Sequence, residues 1–262
     1  MIIPCLTYPC KIKLSLIIPT YNERHNIEIL IQSLTQQLDT IIPGHYELIV
    51  VDDNSPDGTW EVVQNLTYFY PHLKLIRRLT DRGLSTAVVE GWKVAEGDIL
   101  GVIDGDLQHP PEVLLKLWHE MEKGADLAVA SRHIKGGGVS KWSFRRRLLS
   151  QGAQLLGLLL LPKVMSRVSD PMSGYFLVHR SCLENCHLTP LGYKILIEVL
   201  ARGQISKIQE VGYVFQERKN GDSKVTSQQY IEYILHLLRL RFNLFLHYDH
   251  SKFITTTGKL MF

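Results

Sequence analysis

Asp104, Asp106 and Gln108 place three oxygen-bearing side chains at alternate positions of the stretch Asp104-Gly105-Asp106-Leu107-Gln108-His109-Pro110-Pro111. An apolar run, residues 99–103, precedes it, and a helical pattern, residues 112–123, follows. In extended backbone, residues two apart project to one side, so the two carboxylates are expected to reach a common site while Gly105 leaves room for a ligand against the main chain. Hard divalent cations such as Mg2+ or Mn2+ take carboxylate, carbonyl and phosphate oxygens. Mg2+ commonly accepts only one or two carboxylates when a substrate phosphate supplies other ligands. The stretch therefore points to a metal-bridged phosphate site. A solvated turn is the plainer alternative, and the other loops have to decide between the two.

The elements that must carry this stretch are legible as an alternation. Apolar runs of strand length near residues 14–18, 46–51, 73–77, 98–103 and 126–131 alternate with helical patterns, which predicts an α/β fold with a parallel sheet covered on both faces. Ile27, Leu30, Ile31, Leu34 and Leu38 recur at the spacing of one helix face. In open sheets of this kind, ligands bind beyond the carboxyl ends of the strands. Pro19-Thr20-Tyr21-Asn22-Glu23 offers a ring on which a base can stack and a carboxylate that can accept a hydrogen bond, or else an ordinary helix entry. Asp52 and Asp53 suit base N–H or ribose hydroxyl groups, or cap the next helix. Arg77, Arg78 and residues 81–87 suit an anion at a helix N-terminus, or form a solvated basic loop. After the fifth strand come Arg132, three glycines at 136–138 and the triplet Arg145-Arg146-Arg147, which borders the most apolar stretch, residues 148–161. A surface helix on anionic lipid and a buried core helix both fit that combination.

Composition bounds the answer. A chain of 262 residues, 45% apolar and 21% charged, is long enough for one large domain and is not of disordered type. A formal charge of +3 is too weak an imbalance to argue for nucleic acid. The longest strongly apolar run falls short of the roughly 18 residues that span a bilayer. Residues 1–13 lack the pattern of a secretory leader, so a cytoplasmic location is expected. Cys5 with Cys10, and Cys182 with Cys186, have neither zinc nor disulfide-framework character, and reduced thiols are expected. Residues 228–248 are helical in period, with Glu232, His236, Arg239 and Asn243 read as one polar stripe. Packing on the sheet and docking on a membrane or partner helix are both compatible with that pattern.

Eight segments in order carry a more specific signal: LIIPTYNE (16–23), VVDDNSPDGT (50–59), RGLSTA (82–87), DGDLQHPP (104–111), ASRHIKGGG (130–138), RRRLLSQGA (145–153), DPMSGYF (170–176) and ERKNGDSK (217–224). On these the chain resembles family 2 glycosyltransferases, and among them the dolichol-phosphate mannosyltransferase and polyprenyl-phosphate glycosyltransferase group, across residues 14–241. Asn54, Ser85 and Gly105 stand where Gly, Gly and Ala are usual. The resemblance implies a GT-A type nucleotide-binding domain, its sheet mostly parallel, over residues 14–226, with an extension at 1–13 and an amphipathic helix and tail at 227–262. It implies that Pro19, Tyr21, Glu23, Val51 and Asp53 line the nucleoside pocket. Asp104 and Gly105 would sit against ribose and diphosphate, Asp106 with Gln108 would hold Mg2+ or Mn2+, and Arg218 and Lys224 would close over the donor phosphates. Arg132, Arg146 and Ser150 would grip the acceptor phosphate, which makes Asp104, Asp106, Gln108 and Arg132 the expected catalytic set. Relatives often continue into transmembrane helices or use a membrane subunit. A peripheral position on the cytoplasmic face of a membrane, with an anchoring partner, is therefore expected, supported by interfacial amphipathic helices.

The implied reaction is inverting transfer of a hexose from a nucleotide-sugar to a polyprenyl phosphate. Mannose from GDP-mannose is expected and glucose from UDP-glucose is the alternative, with no residue to decide. Charge developing on the leaving diphosphate calls for a cation and for Arg or Lys. A lipid phosphate, with a second pKa of about 6, is already largely ionised and needs positioning in place of a base. A sugar-hydroxyl acceptor would require a positioned carboxylate. Family members of that kind often have an acidic pair in the region of residues 191–199, where this chain has only Glu198. A catalytically silent nucleotide-sugar-binding module is the non-enzymatic alternative.

Overall fold

The computed structural model describes residues 11–140, 144–218 and 228–242. Runs that are apolar at every position form the middle of a sheet, because only a strand covered on both faces buries consecutive residues. β1 (Leu14–Thr20) and β2 (Tyr46–Asp52) are buried throughout, whereas β3 (Leu73–Arg77) is partly exposed. α1 (Ile27–Ile41) and α2 (Thr59–Leu66) join these strands, and α3 (Leu84–Val94) leads to β4 (Ile99–Val102). There follow α4 (Val113–Glu122), β5 (Leu127–Ser131), β6 (Gly138–Val139), α5 (Phe144–Leu160), α6 (Pro162–Met165), β7 (Phe176–His179), α7 (Ile195–Arg202), β8 (Ile208–Gly212) and β9 (Val214–Phe215). A helix over residues 228–242, α8, comes last among the described residues.

The strand order is β3-β2-β1-β4-β7-β5-β8, with β6 paired to β9. Parallel register sets Leu16 opposite Leu48 and Gly101, and Val50 opposite Leu75. β7 departs from the parallel pattern. It runs antiparallel between β4 and β5, with Leu177 opposite both Gly101 and Ala128. Strand alternation then divides the core into two layers. Leu16 and Ile18 belong with Leu30, Leu34, Val63 and Leu114, and Ile17 belongs with Val88, Trp92, Val164, Leu196 and Leu237. The five α1 residues picked out by periodicity are all fully buried.

α8 buries Tyr233, His236, Leu237 and Leu240. His236 is thus not part of a solvent-facing stripe with Glu232 and Arg239; a buried carboxylate, described below, draws it inward. Asn243 lies outside the described residues. Tyr233 Oη donates to the Ala153 carbonyl at 2.8 Å and Arg241 donates to the Leu160 carbonyl at 2.8 Å, fastening α8 to α5. The outward faces of these two helices keep Leu155, Leu158, Leu159, Ile231, Ile234, Leu235 and Phe242 exposed. Among the described residues, no helix is long and apolar enough to cross a membrane. Cys182 and Cys186 are free thiols, and Cys5 and Cys10 lie outside the described residues.

Candidate active site

A cleft of about 730 Å³ opens at the carboxyl ends of β1, β2, β4 and β5. Pro19, Tyr21, Glu23, Asp53, Asp104, Gly105, Asp106, Gln108, Arg132, Ser150 and Arg218 line it. Val51 does not: it is still in sheet pairing, opposite Pro19 and Ile76, and its side chain is buried in the core with Ile17 and Ile49. Lys224 lies outside the described residues, as does the side chain of Arg146 on α5.

The acidic stretch is a turn and not an extension of β4. The strand ends at Val102, and Leu107 takes a φ of +59°. Strand alternation is therefore not what gathers Asp104 and Asp106; the bend carries both carboxylates into the cleft. Asp106 accepts from the Gln108 backbone N–H at 3.1 Å and from Arg218 at 2.5 Å. Arg218 also faces Glu23 at 3.6 Å. Gln108 Nε2 donates to the Gln216 carbonyl at 3.0 Å, and the Gln216 N–H returns a bond to the Gln108 carbonyl at 2.8 Å. The segment carrying Arg218 is thereby sewn onto the acidic turn.

Asp104 has a different environment. Its Oδ2 meets His109 Nε2 at 3.2 Å, and its Oδ1 is buried without a hydrogen-bond partner. His109 is stacked on Tyr213 and edge-on to Tyr175 and Phe215. Burial pushes the Asp104 carboxyl up, but the His109 contact and the charges of Lys194 and Arg218 outweigh it and hold the group below its ordinary value. The donors available are hard oxygens: the Asp106 carboxylate, the orphaned Asp104 oxygen and the Gln108 amide. Among the described residues no cluster of three or more His, Cys, Asp or Glu forms a closed cage. The set fits a hard cation that completes its shell with substrate oxygens.

Gly174 lies against this carboxylate, and a Cβ there would fall 2.6 Å from Asp104 Oδ2. Gly174→Ala should displace Asp104 and lower kcat/KM by about 10- to 100-fold, the scale of an ångström-sized misplacement. Steady-state transfer assays alongside a melting curve check this. Unchanged activity would mean that the Asp104 position does not matter.

Beyond β2, Asp53 accepts from Arg78 Nε and from the Gly83 N–H, each at 2.7 Å. Burial pushes its carboxyl up despite those two donors. Asp52 is wholly buried and accepts from Ser55 and Thr20, so only one member of the acidic pair reaches the cleft. The Arg82 guanidinium lies 5.2 Å from the centre of the Tyr21 ring.

On the opposite side, Arg132 forks onto Asp170 at 2.6 and 2.7 Å, and the Arg132 backbone N–H donates to the same carboxylate at 3.0 Å. Arg132 therefore reaches the cleft with its fork engaged by Asp170, a residue to which the sequence reading assigned no role. Sequence reasoning also passed over other cleft residues: His109, Gly174, Tyr193, Lys194 and the first turn of α8, with Gln228, Tyr230 and Glu232. His109, Asp170 and Gly174 lay inside segments already singled out. Tyr193 lay in the region scanned for an acidic pair and Glu232 in the polar stripe of 228–248, but neither position was tied to the cleft.

The open, mostly parallel sheet with acidic and basic loops gathered beyond its carboxyl ends is of the GT-A type of nucleotide-binding fold. The chain belongs to the family described as glycosyl transferase family 2, whose model matches residues 15–186. It is 46% identical over 229 residues to the dolichol-phosphate mannosyltransferase of Pyrococcus furiosus, covering 87% of this chain and 63% of that protein. To the dolichol-phosphate mannosyltransferase of Saccharomyces cerevisiae it is 35% identical over 239 residues, covering 88% of this chain and 87% of that one. The fold is shared with glucosyl-3-phosphoglycerate synthase from Mycobacterium tuberculosis, solved with Mn2+, UDP-glucose and phosphoglyceric acid. That match has a TM-score of 0.64 and 21% identity, and covers 87% of this chain and 79% of that one.

Proposed function

We propose that this chain transfers mannose, with inversion at the anomeric carbon, from GDP-mannose to the phosphate of a polyprenyl lipid of the dolichol type. The names of the relatives support the sugar and the lipid. The acceptor class rests on one observation: Glu198 is fully buried, is bonded to His236 and Arg202, and is not among the cleft-lining residues. A hydroxyl acceptor would call for a carboxylate from that region, whereas a phosphate monoester arrives ionised.

In this reading an acceptor phosphate oxygen attacks the anomeric carbon while the bond to the diphosphate breaks. The departing β-phosphate oxygen keeps the electron pair, and no proton has to be removed. Arg218 and Lys224 offset the charge on the leaving group, and Arg132, Arg146 and Ser150 orient the acceptor. Asp106 with Gln108 would hold Mn2+ or Mg2+, which when bound supplies Lewis-acid stabilisation of the leaving diphosphate. The test uses purified protein, GDP-mannose, a polyprenyl phosphate and Mn2+ or Mg2+. A mannosyl phospholipid of inverted configuration should form and disappear with EDTA, and GDP-mannose should raise the melting temperature more with the cation than without it. Transfer from UDP-glucose alone, or from neither donor, defeats the reading.

The exposed apolar faces of α5 and α8 support contact with a membrane surface beside the cleft, since Ser150 on α5 and the first turn of α8 both line it. Leu155→Asp combined with Leu235→Asp should weaken sedimentation with anionic vesicles by about tenfold or more. Transfer to a short-chain, water-soluble acceptor should survive. Undiminished vesicle binding would reject this face as the contact.

A further inference from the structure

α7 carries a carboxylate that can no longer be a base, and it joins two pieces of the cleft wall. Glu198 Oε1 accepts from the Thr189 N–H at 2.8 Å and from Arg202 Nε at 2.6 Å, and its Oε2 meets His236 Nε2 at 2.7 Å. Glu198 and His236 are 0% and 1% exposed. Thr189 opens the segment that ends in Tyr193 and Lys194 at the cleft. His236 lies one turn beyond Glu232, the last cleft-lining residue of α8. The two pieces also touch, since a Cβ on Gly192 would lie 3.3 Å from Glu232 Cβ. Neither piece belongs to the sheet.

We infer that Glu198 and His236 are positioning residues, a directional buried pair that sets segment 189–194 and the first turn of α8 as the acceptor-side wall of the cleft. An apolar contact would hold α7 and α8 together as firmly, because a buried polar pair generally adds little net stability over well-packed hydrophobic residues. It would not fix their relative setting. Hydrogen bonds fall off steeply with angle, and a carboxylate steadied on α7 by Arg202 and accepting one bond from the segment and one from α8 limits how either can turn. The cleft side of this wall presents the Lys194 ammonium, whose Nζ donates to the Met172 carbonyl at 2.8 Å, next to Tyr193. A wall carrying a cation and two tyrosines suits an acceptor that is anionic at one end and apolar beyond. The inference rests on the proposed polyprenyl-phosphate acceptor.

The test compares His236→Phe, which keeps the bulk and loses the hydrogen bond, with His236→Gln, which can return an N–H to the same oxygen. His236→Phe should raise the KM for polyprenyl phosphate about tenfold, the scale of one lost charge-assisted hydrogen bond. Its kcat and its Kd for GDP-mannose should stay near wild type, and His236→Gln should restore the acceptor KM. If His236→Phe does not fold, His236→Leu, which leaves Glu198 its bonds from Thr189 and Arg202, should show the same KM rise. A fall in kcat at unchanged acceptor KM would place the pair in the chemistry and overturn the inference. So would a lowered melting temperature with unchanged KM, or failure of His236→Gln to rescue. If the wild-type protein transfers nothing to polyprenyl phosphate, the functional reading and this inference fall together; if it transfers and the variants keep their KM, only the positioning role falls.

Discussion

Asp106→Ala should lower kcat/KM for transfer by about 1,000-fold, close to 4 kcal/mol of lost transition-state stabilisation. Asp106 is held from two sides, by the Gln108 N–H at 3.1 Å and by Arg218 at 2.5 Å, and it faces the cleft. On the proposed reading, alanine takes away the carboxylate that would hold the cation. It also leaves Arg218 with Glu23 at 3.6 Å in place of a close pairing in the acidic turn. Both groups that would meet a leaving diphosphate are disturbed by one change. The fold should survive, because the Asp106 side chain faces the cleft and Arg218 keeps Glu23 as a neighbour. The measurement is kcat/KM for GDP-mannose at saturating Mn2+, together with the melting temperature with and without donor. The cation-dependent part of the donor's stabilising effect should vanish. Retention of a tenth or more of wild-type activity would show that the cation is not held at this turn.

The second large effect is on stability. Asp170→Asn should destabilise the protein by about 3–5 kcal/mol at pH 7, because Arg132 would keep a buried guanidinium without its counter-charge. The pair is deep: the side chains are 9% and 1% exposed, with contacts of 2.6 and 2.7 Å. For a domain of this size the loss amounts to roughly 10 °C in melting temperature. The pH dependence has a definite sign. Burial pushes the Asp170 carboxyl up, but the bonds and charge of Arg132 outweigh that and hold it below its ordinary value of 3.8. Its contribution is therefore fully present above that ordinary value and is lost as the pH falls through the lowered, folded-state value. Urea denaturation at pH 7 and again near pH 3 should find the gap between wild type and Asp170→Asn narrowing in acid. A gap that stays constant, or widens, would contradict the assignment.

Much of this architecture was readable from the chain because parallel strands buried on both faces must be nearly uniform in their apolar character. β1, β2, β4 and β5 are such runs, and α1 displays its buried face at regular spacing. The loops that follow those strands hold most of the cleft. Three kinds of detail were not readable. β7 is four residues long, too short for periodicity, and nothing local marks it as antiparallel. The turn at 104–107 could not be told from extended backbone, because Leu107 at positive φ is a conformation that leucine does not announce. Val51, read as pocket lining, stays in the sheet because β2 keeps pairing one residue beyond it. Finally, the pairings that set side chains in place join residues far apart: Arg218 to Asp106 across 112 positions, and both Arg132 to Asp170 and His236 to Glu198 across 38. Residue type limits who can pair; only the fold says who does. Glu198 illustrates the point, since the same carboxylate reads in sequence as a possible base and in three dimensions is engaged by Thr189, Arg202 and His236.

The place of β7 has a consequence for how the chain is made. Emerging from the ribosome amino end first, the polypeptide completes β4 and β5 before the strand that belongs between them has been synthesised. Until then one edge of β4 and both edges of β5 wait unpaired, the kind of surface that invites chance association with other chains. Closure of the sheet, and with it the approach of Gly174 to Asp104, is thus a late event in biogenesis. Translation halted before Phe176 would leave a product with the loops after β1, β2 and β4 encoded and no means of joining the two halves of its sheet.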